Sequence, residues 1–193
     1  MGNEIAETKT RLADPAALGI FGLAMATLVA SSEKLGLTDG TSGLLPWVIF
    51  LGAFAQIIAC SIEFKRDNIF AATAFGAFGL FWFAVGMTWY FGYDIKQFGF
   101  AVLGYLIFSI YMTYAAATVN KAFLAIFVFI DLLLGALLFQ IFAGGPALLS
   151  GVMELAVAIS GFYASAAIVL KTMAGFEVLP LGKPILKFRK IEF

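Results

Sequence analysis

The sequence predicts an all-α integral membrane protein with six transmembrane helices. Of its 193 residues, 62% are hydrophobic and only 12% are charged, whereas an ordinary soluble domain has roughly 25% charged residues. The apolar residues form long runs, each near the roughly 20 residues that an α-helix needs to cross a bilayer. These runs lack the alternation of apolar and polar residues that a membrane β-barrel requires. Composition and segment length therefore agree on a helical membrane protein.

The connections between the apolar runs are short and contain helix-breaking residues, so they leave no room for a soluble domain. We predict one transmembrane domain over residues 1–193, with cytoplasmic tails at 1–13 and 174–193. The membrane helices are predicted at residues 16–32, 44–62, 69–90, 98–117, 122–142 and 147–173.

The first apolar run opens with a helix start signal. Asp14 suits the N-cap position because its carboxylate can accept a hydrogen bond from a helical N–H, and Pro15 suits the first helical position. Gly19 and Gly22 lie three residues apart, so one face of the first turns carries almost no side chain. Such a bare helix start is either an anion site or a place of close helix contact.

The distribution of basic residues predicts that both chain termini are cytoplasmic. In that orientation ten of the twelve Lys and Arg residues lie inside, and only Lys34 and Lys96 lie outside. The basic tail from Lys183 to Lys190 is predicted to contact anionic lipid headgroups. We therefore expect a multi-pass protein of the cell membrane, that is, the plasma or inner membrane. The aromatic residues predicted at its outer interface are Trp47, Trp89, Tyr90 and Tyr93.

The composition excludes several classes of protein and site. The chain has no histidine and one cysteine, Cys60, which rules out His-dependent triads, His metal sites and an intrachain disulfide. The sequence shows no nucleophile with an adjacent base, no metal-ligand set and no phosphate loop, so we predict that the chain is not an enzyme and needs no cofactor. Nucleic acid is not an expected partner, because basic and acidic residues cancel and no basic cluster contains interleaved aromatic residues.

Three acidic residues within the predicted spans or at their edges are candidates for proton coupling, namely Asp131, Glu154 and Glu63. A charged carboxylate at mid-membrane costs at least roughly 2.5 to 3.5 kcal/mol, so such residues face a cavity or a partner, or are protonated. Asp131 lies deepest in its span, and the other two lie nearer the boundaries. For Asp131 the alternative is a neutral or hydrogen-bonded acid at a helix contact, and for Glu154 and Glu63 it is a solvated carboxylate near the membrane boundary.

Small and polar residues recur on one face of several spans. Two such faces are formed by Gly52, Gln56, Cys60 and Glu63 on the second span and by Glu154, Ala158, Gly161 and Ser165 on the sixth. Helices that pack closely and helices that line a narrow conduit both need faces of this kind.

Four blocks of the sequence match a known family. Residues 12–25, LADPAALGIFGLAM, are similar to the family signature NPAPLGL, and further blocks lie at residues 52–82, 127–138 and 178–182. These blocks resemble the acetate uptake transporters, and because they are spread from residue 12 to residue 182, the resemblance extends over almost all of the chain. Within the signature, Asp14 stands where the family usually has Asn, and Ala17 stands where it usually has a second Pro.

The resemblance implies a six-helix protomer that assembles as a homo-hexamer, with a separate substrate path and an apolar constriction in each protomer. Matching the blocks places that constriction at Leu23, Phe78 and Leu132. Bacterial relatives have Phe and Tyr at the first two positions, so this chain lacks one ring and one hydroxyl there. The position of Asp131 is commonly a small hydroxyl residue in those relatives.

These observations predict transport of acetate, and of other short carboxylates such as succinate, by a channel-like or proton-coupled route. Helix starts such as that at Asp14 and Pro15 would attract the carboxylate, and an apolar constriction would exclude hydrated ions. The expected partners are thus a small carboxylate, membrane lipid and further copies of the chain. The residues predicted to line the substrate path are Asp14, Pro15, Gly19, Gly22, Gln56, Asn68, Phe75 and Gly79.

Two alternative functions are compatible with the same pattern. One is a channel for a small neutral solute such as urea or ammonia, which an apolar constriction would suit equally well. The other is a non-transporting membrane scaffold or sensor, in which the small-residue faces only build the oligomer. Flux measurements separate transport from a scaffold, and a choice of labelled acetate or urea separates the two kinds of transport.

Overall fold

The computed structural model describes residues 12–92 and 94–188. The predictions for most of the N-terminal tail, for Tyr93 and for residues 189–193 therefore lie outside the described residues. The helices are α1 (Ala16–Lys34), α2 (Gln56–Lys65), α3 (Ile69–Phe91), α4 (Ile95–Ala116), α5 (Lys121–Ala143) and α6 (Ala147–Ala174), with a short 3-10 turn at Ser42–Leu44 and a π-helix at Trp47–Ala55 before α2.

The prediction of six membrane helices is confirmed for the part of the chain that the structure describes. Six segments there are long and apolar enough to cross a membrane, and the one at Ser42–Lys65 combines the 3-10 turn, the π-helix and α2. Each of them overlaps one predicted span. The largest differences in the bounds are three residues: α4 begins at Ile95, because Asp94 caps it, and not at residue 98, and the second segment ends at Lys65 and not at residue 62.

Polar caps and glycines set the ends of several helices. The side chains of Asn68, Asp94 and Asn120 each accept a hydrogen bond from the backbone N–H three residues later, which caps α3, α4 and α5. At the other end, α5 and α6 stop at Gly144 and Gly175, whose φ angles of 71° and 78° favour glycine.

The π-helix at Trp47–Ala55 is a feature that sequence periodicity did not reveal. Its widened turns bring the backbone carbonyl of Leu51 against α1, where Gly22 lies. A Cβ atom at Gly22 would be only 2.3 Å from that carbonyl oxygen, so the contact depends on glycine. The packing of α1 against the second spanning segment is therefore a backbone-to-backbone contact.

The face of small residues on α6 packs against α1. A Cβ atom at Gly161 would be 3.0 Å from the Cβ of Ala24, and the Ser165 hydroxyl donates to the Ala17 carbonyl at 2.8 Å. Glu154 and Ala158 on the same face are buried. The small-residue face of α6 therefore serves close helix packing along most of its length, which is one of the two roles predicted for such faces.

Candidate functional site

A first cavity lies at the end of the bundle where α1 begins, and we call it the tail-side cavity. It has a volume of about 40 Å³. A cavity needs roughly 10–15 Å³ to hold one water molecule, so this one has room for only a few. Within the described chain, Gln56 is its single polar lining residue. The lining side chains come from α1 (Ala16, Ile20, Leu23), α2 (Gln56), α3 (Phe70, Ala71, Ala74, Phe75, Phe78) and α5 (Phe123, Ile126, Phe127, Ile130).

The deep end of this cavity is apolar and surrounded by aromatic rings. Leu23, Phe78 and Ile130 are 7%, 5% and 3% exposed, respectively, and all three line the cavity. The ring of Phe78 contacts Phe108 and Phe127, with centroids 5.5 and 6.1 Å apart. These neighbours fix the ring of Phe78 in place.

A second cavity, the far-side cavity, lies at the opposite end of the bundle. It has a volume of about 300 Å³, and it is lined by apolar and aromatic side chains together with several polar ones. The polar and charged lining residues are Glu33 and Lys34 of α1, Thr41, Gln140 of α5 and Glu154 of α6.

The two cavities lie end to end, because the same helices line both of them at successive turns. On α3 the lining passes from Phe78 in the tail-side cavity to Trp82 in the far-side cavity, and on α5 it passes from Ile130 to Leu134. Four helical residues correspond to about 6 Å along the axis. We call this barrier the neck; it is one helical turn long on α3 and α5, and it is bounded on the tail side by Leu23, Phe78 and Ile130.

The structure places Leu132 apart from the other two residues predicted for the apolar constriction. Leu132 is 53% exposed and lines neither cavity, whereas Ile130 on the same helix is buried and lines the tail-side cavity. Two residues along an α-helix correspond to a rotation of about 200°, so residues 130 and 132 point in nearly opposite directions. Leu23 and Phe78 both line the tail-side cavity, and Ile130 lines it beside them.

Charged and polar residues cluster beside the start of α1. The Asp14 carboxylate accepts hydrogen bonds from the Ala16 N–H and from Arg66, each at 3.0 Å. Arg66 also contacts Glu63 at 3.2 Å, and the Asn68 amide donates to Glu63 at 3.0 Å. The helix begins at Ala16, the first residue of the predicted span, but the N-cap position is held by Pro15 and not by Asp14. Asp14 still binds the first helical N–H, and Arg66 balances its charge.

Asn68 has a structural role in this cluster, since it caps α3 and binds the buried Glu63. We expect Asn68→Ala to lower the free energy of unfolding by about 1–3 kcal/mol, because the cap is lost and a Glu63 oxygen loses its donor. Asn68→Ser keeps a capping oxygen and should cost less. Thermal unfolding of the purified variants measures both effects, and equal losses in the two variants would contradict this assignment.

The remaining predicted path residues divide into two groups. Gln56 and Phe75 line the tail-side cavity. The glycines make helix contacts instead: a Cβ at Gly19 would be 2.6 Å from the Phe75 ring, and one at Gly79 would be 3.1 Å from the Ala53 carbonyl oxygen. Gly19 thus supports a lining side chain without lining the cavity itself.

Asp131 lies at the contact between α4 and α5 and lines neither cavity. The Thr113 hydroxyl donates to its Oδ2 at 2.7 Å, and its buried Oδ1 has no hydrogen-bond partner among the described residues. The geometry matches the predicted alternative of a hydrogen-bonded acid at a helix contact.

Glu154 forms a buried ion pair with Lys34 inside the far-side cavity. The sequence predicts Lys34 in an outer loop. In the structure it is the last residue of α1, and its side chain is only 15% exposed. The available sequence signal was topological, because α1 and α6 are antiparallel and a basic residue ending α1 can meet an acid in the first turns of α6.

Comparisons with known proteins agree on the family. The model of the GPR1/FUN34/yaaH family matches residues 3–183. The chain is similar to the succinate-acetate/proton symporter SatP of Escherichia coli (strain K12), with 29% identity over 186 residues, 90% of this chain and 97% of that protein. It is also similar to ammonia transport outward protein 2 of Saccharomyces cerevisiae (strain ATCC 204508 / S288c), with 28% identity over 90% of this chain and 68% of the yeast protein.

The fold is similar to a solved structure as well. The structure of the bacterial acetate channel SatP superposes with a TM-score of 0.83 and 28% sequence identity, covering 89% of this chain and all of that one. The helices, the family model and the full-length relatives thus lead to the same assignment. The chain belongs to the GPR1/FUN34/yaaH family.

Proposed function

We propose that this protein transports acetate, and other short carboxylates such as succinate, across the plasma membrane through a pathway formed by each chain. The observation that carries the proposal is the pair of cavities that lie end to end, separated by a neck one helical turn long. The similar proteins named for acetate and succinate transport supply the substrate class. A protein with this arrangement needs no catalytic group, and we propose no enzymatic activity.

The neck selects for small solutes with little charge. Its lining residues Leu23, Phe78 and Ile130 offer no hydrogen bond to a carboxylate, and an ionised carboxylate without a partner is very costly to bury. A short acid that crosses as the neutral acid avoids this cost. The apolar neck therefore favours a proton-coupled route, in which one proton accompanies each monocarboxylate.

The sidedness proposed here follows from the distribution of basic residues, and the proposed assembly follows from the family resemblance. Both termini are cytoplasmic, so the tail-side cavity faces the cytoplasm and the far-side cavity faces outward. The chain assembles as a homo-hexamer in which each protomer keeps its own pathway, and its exposed apolar side chains meet lipid or neighbouring copies. Examples of such side chains are Phe50, Phe100 and Ile107, at 65%, 68% and 61% exposed.

Transport of ammonia is the second candidate function, favoured by the similarity to a yeast protein named for outward ammonia transport and by the apolar neck. The charge inside the far-side cavity argues for the carboxylate. An ammonia channel gains nothing from a buried lysine on its route, whereas a carboxylate gains a partner there.

The experiment that tests the proposal is uptake of labelled acetate into proteoliposomes, with and without an inward proton gradient. We expect uptake above protein-free liposomes that increases with the gradient, for wild type and equally for Asp131→Asn, because Asp131 lies outside both cavities. Labelled methylammonium serves as the ammonia analogue in a parallel assay. Methylammonium flux without acetate flux would reverse the order of the two candidates, and loss of gradient dependence in Asp131→Asn would make that residue a proton carrier.

A further inference from the structure

The far-side cavity contains an ion pair that the proposed pathway does not yet use. The Lys34 ammonium donates to Oε1 of Glu154, and the two side chains are only 15% and 4% exposed. Gly151 makes room for the lysine, since a Cβ at that position would be 2.9 Å from the Cβ of Lys34. Both charged residues line the cavity. The pair therefore lies on the route between the far side of the membrane and the neck.

The carboxylate of Glu154 is only half satisfied. Its Oε2 is buried and has no hydrogen-bond partner among the described residues, although buried carboxylate oxygens normally have a donor. Lys34 has three N–H donors, and a single hydrogen bond to Glu154 leaves others for a further acceptor. The pair thus combines donors that suit a carboxylate with an oxygen that can take a proton.

The other groups lining this cavity do not duplicate the pair. Glu33 of α1 is the second acid, and the polar residues contributed by the 41–44 region and α5 are the uncharged Thr41 and Gln140. In the described part of the chain, α3 and α4 contribute only apolar and aromatic lining residues, including Trp82 and Phe98. Lys34 is consequently the one cation lining this cavity within the described residues.

We propose that Lys34 and Glu154 form the carboxyl-binding and proton-transfer site of the far-side cavity, an inference that rests on the transport function proposed above. An incoming carboxylate binds the Lys34 ammonium in place of Glu154, which has taken a proton from the far-side solution. Glu154 gives this proton to the bound carboxylate, which leaves through the neck as the neutral acid. The Glu154 carboxylate then pairs with Lys34 again, so one proton and one carboxylate have crossed together.

The first test compares the pH dependence of acetate uptake in wild type, Glu154→Gln and Glu33→Gln, after subtraction of acetic acid diffusion through protein-free liposomes. We expect Glu154→Gln to reduce uptake at neutral pH by about a hundredfold, the low end of what a positioned proton donor contributes. Its residual uptake should rise only as the bulk concentration of acetic acid rises. Glu33→Gln, the control acid in the same cavity, should keep most of the uptake at neutral pH because it retains the proton donor Glu154, and Glu154→Asp should restore part of the activity.

The double variant Lys34→Gln/Glu154→Gln is the control for misfolding. It removes both buried charges together, so neither is left unpaired. It should elute and unfold like wild type, yet bind acetate about tenfold more weakly or worse, as expected from loss of a hydrogen bond to a charged group. A wild-type pH profile in Glu154→Gln, or the same altered profile in Glu33→Gln, would overturn the proposal.

Infrared difference spectroscopy separates failure of this site from failure of the transport function. Addition of isotope-labelled acetate to the wild-type protein should produce a protonated-carboxyl band that is absent in Glu154→Gln and present in Glu33→Gln. If this band appears while wild-type proteoliposomes show no acetate flux, the binding site stands and the transport function fails. If flux is normal and the band is unchanged in Glu154→Gln, transport stands and the site is wrong.

Discussion

Replacing Ile130 with alanine is expected to raise succinate flux relative to acetate flux by about tenfold, the change that about 1.4 kcal/mol of relieved steric barrier produces. Ile130 lines the deep end of the tail-side cavity beside Phe78 and is only 3% exposed. Shortening its side chain widens the neck without adding a polar group. Competing uptake of the two labelled acids into the same proteoliposomes measures the ratio directly.

The matched control is Leu132→Ala on the same helix. Leu132 is 53% exposed and lines neither cavity, so its truncation should leave the ratio of the two fluxes at the wild-type value. This pair of variants decides between the position implied by the family match and the position seen in the fold. A changed ratio in Leu132→Ala, with none in Ile130→Ala, would show that the neck has been placed wrongly.

Substitution of Gly22 by alanine is expected to destabilise the folded protein by about 3 kcal/mol or more, at or above the usual range for overpacking. The new methyl group would lie 2.3 Å from the Leu51 carbonyl oxygen. That oxygen belongs to the backbone of the π-helix and cannot rotate away as a side chain would. Heating the purified protein in detergent and measuring the fraction that stays monodisperse would detect the loss.

Gly135→Ala is the control for this substitution, because no atom of the described chain lies within 4 Å of a Cβ at that position in α5. Glycine inside a helix is roughly 0.5–1 kcal/mol less favourable than alanine. The control variant should thus be as stable as wild type or slightly more stable. Similar unfolding temperatures for the Gly22 and Gly135 variants would contradict the close approach of α1 to the π-helix.

Several features of the site were predictable because they depend on local sequence. The start of α1 near Asp14 follows from capping chemistry, and the observed helix begins at Ala16 as the predicted span does. The buried faces on α2 and α6 follow from helical spacing, since Gln56, Glu63 and Glu154 all prove to be buried. Spacing alone could not say which buried face meets another helix and which meets a cavity.

Other features depended on how the helices are assembled. The ion pair between Lys34 and Glu154 joins residues 120 positions apart, and only the antiparallel contact of α1 with α6 brings them together. Ile130, and not Leu132, lines the tail-side cavity because the rotation of α5 about its axis is set by its neighbours. The π-helix was missed because its apolar run has no polar residue to reveal the period.

The sequence by itself determined that this protein is a six-helix membrane protein, because apolar length and charge placement act on each segment separately. The sequence was also sufficient to identify the family, because the matching blocks occur in the same order along the chain. Only the tertiary structure decided where a pathway could run, because a cavity exists between helices and depends on their rotation and depth. For the same reason it alone showed that a lysine predicted for a loop lies beside a buried glutamate at the far side of the neck.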